Sequence, residues 1–395
     1  MHFVDVTYSQ KGLKIIDKDS ILTLPYLKGS FIDICNNNIN FWSTEIDRNS
    51  DTSHIWLNIC AKHENPNIVI RNFPFLSDAS VSHELIQGTN RPRYYTPDFD
   101  YSTLNDNYLT ISNVTIIKDG IEYVTSKIYE FNLDEEIIFE WSLIDYIEEL
   151  GFTLESAEVH RGPNGLFNMR DDHFVCNAIS KIPKNNLNDE RFKEGNYLVS
   201  ERKDGFIFVI DKDTKHIVWY TNGKELGYHS SHYPHMIPLG LEGAGNILFY
   251  NNGLMTTETS SIIEFNPLTK DIVFEYESKE IKSAFRGSVQ KTIDGTYLIC
   301  ASEKGNLVEV DKDKNILNII LLADEEYLSE TQATRWNQAN INRNVLNYYR
   351  AERIPYEWID KIIPMYSFLN EEKIFEQIHM NNFSKQEKDN TTIKY

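Results

Sequence analysis

Gly205-Phe-Ile-Phe-Val-Ile-Asp-Lys-Asp-Thr-Lys-His-Ile-Val-Trp-Tyr220 carries the pattern that decides the fold. A β-branched and aromatic run leads into a polar turn rich in Asp and Lys, and a second apolar run closes on two aromatic residues. This is the grammar of a β-hairpin: two short strands that suit a pleated, half-buried surface, around a turn whose side chains bond their own backbone. The grammar returns in Lys127-Ile-Tyr-Glu-Phe-Asn-Leu-Asp-Glu-Glu-Ile-Ile-Phe-Glu-Trp141, in Ser261-Ile-Ile-Glu-Phe-Asn-Pro-Leu-Thr-Lys-Asp-Ile-Val-Phe-Glu-Tyr276 and in Gly305-Asn-Leu-Val-Glu-Val-Asp-Lys-Asp-Lys-Asn-Ile-Leu-Asn-Ile319. A further strand precedes each copy: Asn107–Ser112, Asn196–Ser200, Asn246–Tyr250 and Thr296–Cys300. The unit is a three-strand meander, with room for a fourth strand in the longer joins.

The later copies recur about every 45–55 residues, the period of a four-stranded propeller blade. The expected fold is all-β, a β-propeller of six four-stranded antiparallel blades, with roughly six or seven allowed by the spacing. A two-sheet sandwich also alternates apolar and polar residues, but it does not repeat a whole hairpin grammar. The propeller is expected to span residues 1–383. Clear blade repeats and a closing segment occupy 106–358, while 1–105 read as early blades or a cap, with Ser30–Cys35 and Ile39–Trp42 as strand candidates. Leu143, Tyr146, Ile147 and Leu150 have helical spacing, and Gly151 follows as a stop, so 142–160 read as a helical excursion between blades. Residues 384–395 are polar and read as a loose tail.

The formal net charge of -20 argues against phosphate backbones and anionic membrane surfaces as partners. Cys35, Cys60, Cys176 and Cys300 are far apart and form no C-x-x-C pair, which suits free thiols better than a zinc site or a disulfide framework. The N-terminus lacks a basic and then apolar leader, and no apolar run reaches membrane-spanning length, so the expected location is cytoplasmic. No G-x-x-x-x-G-K-[ST] loop is present, and no cofactor is expected.

Several segments, in order, resemble the bacterial and fungal arylsulfotransferase family. Lys127 to Trp141 is similar to that family's E-I-D-x-x-G-x-V-x-F-E-W blade end. Asp172-His-Phe-Val-Cys-Asn-Ala178 resembles its D-W-x-H-x-N-S strand, and Leu198-Val-Ser-Glu-Arg202 its L-x-S-S-R strand. His232-Tyr-Pro-His-Met-Ile-Pro238 followed by Gly245-Asn-Ile-Leu-Phe-Tyr-Asn-Asn-Gly253 resembles its H-D-x-x-x-L-P-N-G-N-x-L-x-F-D-N-G stretch. Arg286-Gly-Ser-Val-Gln290 resembles its G-S-x-Q strand, and Tyr349 to Trp358 its closing Y-R-A-x-R-x-P segment. The resemblance implies a propeller that moves a sulfuryl group from one phenolic sulfate to another phenol without a nucleotide donor. It implies His232 as the nucleophile, Arg202 as the clamp on the sulfuryl oxygens and Asn177 as a further donor, with ping-pong kinetics.

The chain departs from the family pattern at two places. Val175 stands where the family has a His, and Tyr233 where it has the Asp after the nucleophile. His235, His229 and Arg286 are the candidate substrate contacts around this gap. His229, His232 and His235 are also a candidate metal set, since imidazole is a common ligand, but residues three apart on a regular strand point to opposite faces. Each candidate has a plainer reading: the histidines as loop or core residues, Asn177 as a turn brace, and Arg202 and Arg286 as solvated surface. Arg350 and Arg353 read as ties between the C-terminal segment and a blade, and Tyr94, Tyr95, Trp219 and Trp336 as core. Three functions follow: sulfuryl transfer on a small aromatic molecule, another and metal-assisted reaction on the same scaffold, or a non-catalytic binding propeller.

Overall fold

A computed structural model describes residues 1–9, 12–18, 20–24, 31–35, 38–43, 55–60, 67–72, 80–118, 120–134, 136–154, 175–202, 204–254, 256–322, 348, 350–360 and 391–394. Asp172, Trp336 and Tyr349 of the sequence reading lie outside these residues.

The described strands form six antiparallel sheets, five of four strands and one of five. The fold is an all-β propeller. Sheet 4 shows the plan: Cys176–Lys181, Tyr197–Glu201, Ile207–Ile210 and Ile217–Thr221 pair in chain order. Sheet 5 (Ser231–Met236, Ile247–Asn251, Ser260–Phe265, Ile272–Ser278) and sheet 6 (Ser288–Lys291, Tyr297–Ala301, Asn306–Val310, Ile316–Leu321) repeat it. Sheet 3 runs from Ser80–Gln87 to Ile137–Ser142, and sheet 2 holds the strands between Phe31 and Asn72. Sheet 1 joins the two ends of the chain, with Ala351–Pro355 pairing antiparallel to Phe3–Ser9. Thr391–Lys394 adds a strand to sheet 2 beside Asn67–Asn72. The expected loose tail is thus a strand over those four residues, whose Thr-Thr-Ile run suits a sheet edge.

The hairpin turns explain the repeated sequence. Asp211, Asn266 and Asp311 each accept backbone N–H bonds from residues two to four further on, as does Asn132. In the last three hairpins a lysine then takes a positive φ: Lys215, Lys270 and Lys314. The closing tryptophans reach the next sheet's turn, Trp141 Nε1–H donating to the Lys215 carbonyl and Trp219 Nε1–H to the Pro267 carbonyl.

Sheet faces pack on each other through separate apolar clusters. Ile128, Trp141 and Phe208 lie between sheets 3 and 4; Val209, Trp219, Met236 and Phe249 lie between sheets 4 and 5; and Tyr250, Phe274 and Val308 lie between sheets 5 and 6. A buried polar contact recurs at the same place. Glu130 of sheet 3 accepts from Lys181 and from the Tyr197 hydroxyl of sheet 4, at 2.7 and 2.6 Å. Glu264 of sheet 5 meets Lys291 and Tyr297 of sheet 6 in the same way. Glu309 of sheet 6 meets Arg353, which also holds Asp5. Between sheets 4 and 5 the matching pair is Val209 and Met236, both apolar. The ionic and apolar versions keep each buried charge compensated, because a lone carboxylate there would be costly.

Each sheet described in full has an even number of antiparallel strands before the chain moves on, so each inner strand starts at the same face, called upper here. The upper face collects the links between sheets and the turns after each second strand. Residues 142–154 lie in one such link. They form two short 3-10 helices, Leu143–Asp145 and Ile147–Leu150, rather than one continuous helix, and Gly151 ends the second with φ of 84°. Among the described residues no helix is long and apolar enough to cross a membrane.

Candidate active site

His232 is the second residue of the inner strand of sheet 5, at the upper mouth. Only 7% of it is exposed. Its Nδ1 lies 2.5 Å from Oδ1 of Asn252, which follows the neighbouring strand. The Asn252 amide group donates to the carbonyls of Ser283 and Arg286, at 2.8 and 2.7 Å. Those two bonds orient the carboxamide, so Oδ1 must accept and Nδ1 must carry the proton. Nε2 carries the lone pair, and it accepts a long bond of 3.3 Å from the backbone N–H of Arg286.

Electrostatics agree with this tautomer. Burial is the main cause that pushes the His232 pKa down to about 3, and the charges of Arg202 and then Arg286 push the same way against the Asn252 bond. His232 is therefore a neutral imidazole within electrostatic reach of two guanidinium groups. Arg202 sits just beyond the second strand of sheet 4, half-buried, with its guanidinium 5.4 Å from the centre of the Phe285 ring. Arg286 has φ of 59° and leads into Gly287, at φ of 98°. A Cβ at Gly287 would come within 2.8 Å of the Tyr250 ring, so the glycine lets the Arg286 backbone approach His232. Val175, in place of the family's His, is buried, and its carbonyl accepts the Arg202 backbone N–H at 3.1 Å.

The strand is not regular. Tyr233 has φ of 57°, and the register with Ile247–Asn251 slips between His232 and His235. His232 pairs with Tyr250 and His235 with Leu248, so the bulge absorbs one residue and returns both imidazoles to one face. The opposite-face expectation from regular alternation is overturned by this bulge. The Tyr233 ring lies between the guanidinium groups of Arg93 and Arg350, 4.8 and 4.5 Å from its centre, and its hydroxyl donates to Glu352 at 2.8 Å. Burial holds the Tyr233 phenol neutral. His235 donates from Nδ1 to the Tyr233 carbonyl at 2.9 Å and meets the rings of Tyr94 and Tyr233 edge-on, at 4.9 and 5.0 Å. Its Nε2 is buried with no hydrogen-bond partner, and burial also pushes its pKa down to about 3.

The other candidates separate. Asn177 donates to the Ser231 carbonyl at 2.8 Å and accepts from the Ser200 hydroxyl, so it braces the inner strands of sheets 4 and 5 rather than projecting beside Nε2. His229 is exposed in the link before the strand, away from the buried pair. Among the described residues no group of three or more His, Cys, Asp or Glu could hold a metal ion, and the metal set of His229, His232 and His235 is not assembled. Asn252 is the residue that sequence reasoning passed over, although it stood inside a matched stretch; Tyr233 was marked only as a departure from the family pattern.

A propeller with a buried, neutral histidine and arginine charge in reach has the groups that nucleophilic transfer of an anionic group needs. The family model described as Arylsulfotransferase (ASST) matches residues 107–320, and the chain belongs to that family. No curated protein matches the chain. Among solved structures it is similar to a protein of unknown function from Bacteroides caccae, at 13% identity and a TM-score of 0.45 over 90% of this chain and 99% of that one. It is also similar to the Dos1 propeller, at 11% identity and a TM-score of 0.42 over 75% and 74%. The periplasmic gluconolactonase PpgL of Pseudomonas aeruginosa gives 10% identity and a TM-score of 0.39 over 81% and 96%.

Proposed function

We propose that this arylsulfotransferase-family chain transfers a sulfuryl group between phenolic oxygens through His232. The observation that carries the reading is the Nε2 lone pair of a buried, neutral imidazole, with its other nitrogen fixed by Asn252. In the first half-reaction Nε2 attacks sulfur of an aryl sulfate, the N–S bond forms as the S–O bond breaks, and the phenolate leaves and takes a proton from water. In the second, an acceptor phenol gives its proton to water, its oxygen attacks sulfur, and the N–S bond breaks to restore His232. Negative charge on the sulfuryl oxygens faces Arg202 and Arg286, and the Arg286 N–H that rests on Nε2 is positioned to turn to an oxygen instead. In the sulfated intermediate the imidazole ring carries a positive charge that balances the SO₃ group, and its Nδ1–H stays bonded to Asn252. The substrate in this reading is a small aromatic molecule, with no nucleic acid or membrane partner, and the location is cytoplasmic.

The test uses 4-nitrophenyl sulfate as donor and a panel of phenols as acceptors, with wild type and His232→Ala. Nitrophenol release that depends on the acceptor in wild type and is absent in folded His232→Ala supports the reading. Equal rates in both proteins, or none in the wild type, reject it.

A further inference from the structure

A cavity lies at the other end of the same inner strands. Its volume is about 550 Å³, and its walls come from residues 89–92, 96, 98–99, 181–184, 194–195, 212 and 238–239. Lys181 ends the inner strand of sheet 4 and Pro238 follows that of sheet 5, so the cavity opens on the lower face. A six-residue strand separates it from His232 by roughly 15–20 Å. It is therefore not the mouth where the proposed chemistry takes place.

We propose that this cavity is a second, non-catalytic binding site for a small organic anion with an apolar body. This goes beyond the sulfuryl-transfer reading and does not depend on it. Three observations carry it. The charge of the lining inverts that of the chain, which has 59 acidic and 39 basic residues: Lys181 is already paired with Glu130, and Arg91, Lys184 and Lys212 still outnumber Asp98 and Glu194. The Lys212 ion pair is with exposed Asp213, which Lys193 also holds, so Lys212 can turn to a ligand at little cost. The rest of the wall is apolar, with Phe99, Ile182, Pro183 and Leu239 offering a bed for a hydrocarbon or ring.

The cavity is also built before any ligand arrives. The Thr96 hydroxyl donates to the Leu239 carbonyl at 2.5 Å, and the Leu239 N–H donates to the Lys184 carbonyl at 3.4 Å, so three segments are tied together. Glu130 accepts from the Thr89 hydroxyl and from Lys181, which fixes the wall behind. At Gly240 a Cβ would come within 2.7 Å of the Thr96 hydroxyl, so the loops are in close contact there. A preformed site of this size loses little entropy on binding.

The experiment is calorimetric titration with phenyl phosphate and with phenylacetate, using benzyl alcohol as the neutral control. It is run on the full chain in an Arg202→Gln/Arg286→Gln background, which silences the upper anion clamp. Saturable binding of either anion is expected there, at least tenfold tighter than benzyl alcohol. Adding Lys184→Glu and Lys212→Glu is expected to weaken it at least tenfold, with unchanged circular dichroism. Amide exchange should slow in 89–99 and 181–184 when the anion is bound. Binding of phenyl phosphate alone identifies a phosphate-type head, and of both anions a general anionic head. No saturable binding, binding indifferent to the two lysine changes, or binding equal to benzyl alcohol overturns the proposal. Failure of the sulfuryl assay leaves these outcomes untouched.

Discussion

Strand Ser231–Met236 holds two histidines three residues apart, both buried and both held near pKa 3, yet their surroundings differ completely. His232 has its Nδ1 proton bonded to a side chain and its Nε2 accepting the Arg286 backbone N–H, with the Arg202 and Arg286 charges in reach. His235 has its Nδ1 proton bonded to the backbone and its Nε2 enclosed by tyrosine rings with no hydrogen bond. Burial makes each imidazole neutral, but neutrality alone does not make a nucleophile. Access to sulfur and positive charge to receive the sulfuryl oxygens are the added requirements; the lower histidine has the charge of Arg93 in reach but is closed in by tyrosine rings. The tyrosine bulge between the two lets one strand present both environments.

The largest expected effect that sharpens this contrast comes from Asn252→Leu. It frees the Nδ1 proton and the loop of Ser283 and Arg286, and kcat should fall about 10²–10³-fold because the wrong tautomer becomes accessible. Removing one clamp group is next. Arg202→Gln should cost about 10²-fold in kcat, and it should raise the His232 pKa from about 3, since the Arg202 charge is the second cause of its depression. Carbon-13 chemical shifts of the imidazole across a pH titration read that rise; no change would separate Arg202 from the site.

Acid stability comes third. Both histidines have folded values near 3, below the ordinary 6.5, so the unfolded chain takes up the protons first as pH falls. Their stabilising contribution is complete above pH 6.5 and is lost between 6.5 and 3. His235→Leu should remove its share, making unfolding about 3 kcal/mol less sensitive to acid between pH 6.5 and 4, while sulfuryl transfer stays within a few-fold. Urea midpoints at the two pH values measure it, and an unchanged acid slope would contradict the burial of His235. The smallest effect belongs to Tyr233→Phe. Losing the hydroxyl bond to Glu352 should cost about 1–2 kcal/mol of stability, with transfer little changed, because the ring remains between Arg93 and Arg350.

The blade grammar was legible because it is written in local chemistry. Asp211, Asn266 and Asp311 bond their own turns, and strands such as Tyr197–Glu201 and Ile247–Asn251 fall within a residue of the apolar runs that announce them. The inner strands were harder to see. Ser231–Met236 reads Ser-His-Tyr-Pro-His-Met, with no β-branched residue and a proline, and its strand identity comes from burial between sheets rather than from propensity. His232 was marked by its place in a matched stretch. Asn252 was not, since its role appears only when the loop of Ser283 and Arg286 folds back on it. The bulge was also hidden, because a positive φ at a tyrosine is rare and is held here by Arg93, which comes from a distant segment. The lower cavity is lined by Thr89 to Pro92, Thr96, Asp98 and Phe99 of the segment that carries Arg93, whose sequence gives no sign that it lines a chamber.

The central claim is that the upper histidine, and not the lower, becomes sulfated. The most direct measurement mixes excess 4-nitrophenyl sulfate with the protein, quenches in base without an acceptor, and maps the modified peptide by mass spectrometry. The account predicts one added SO₃ on His232, present in His235→Leu and absent in His232→Ala, with a matching burst of nitrophenol. An SO₃ group on His235, or a burst that persists in folded His232→Ala, would contradict it.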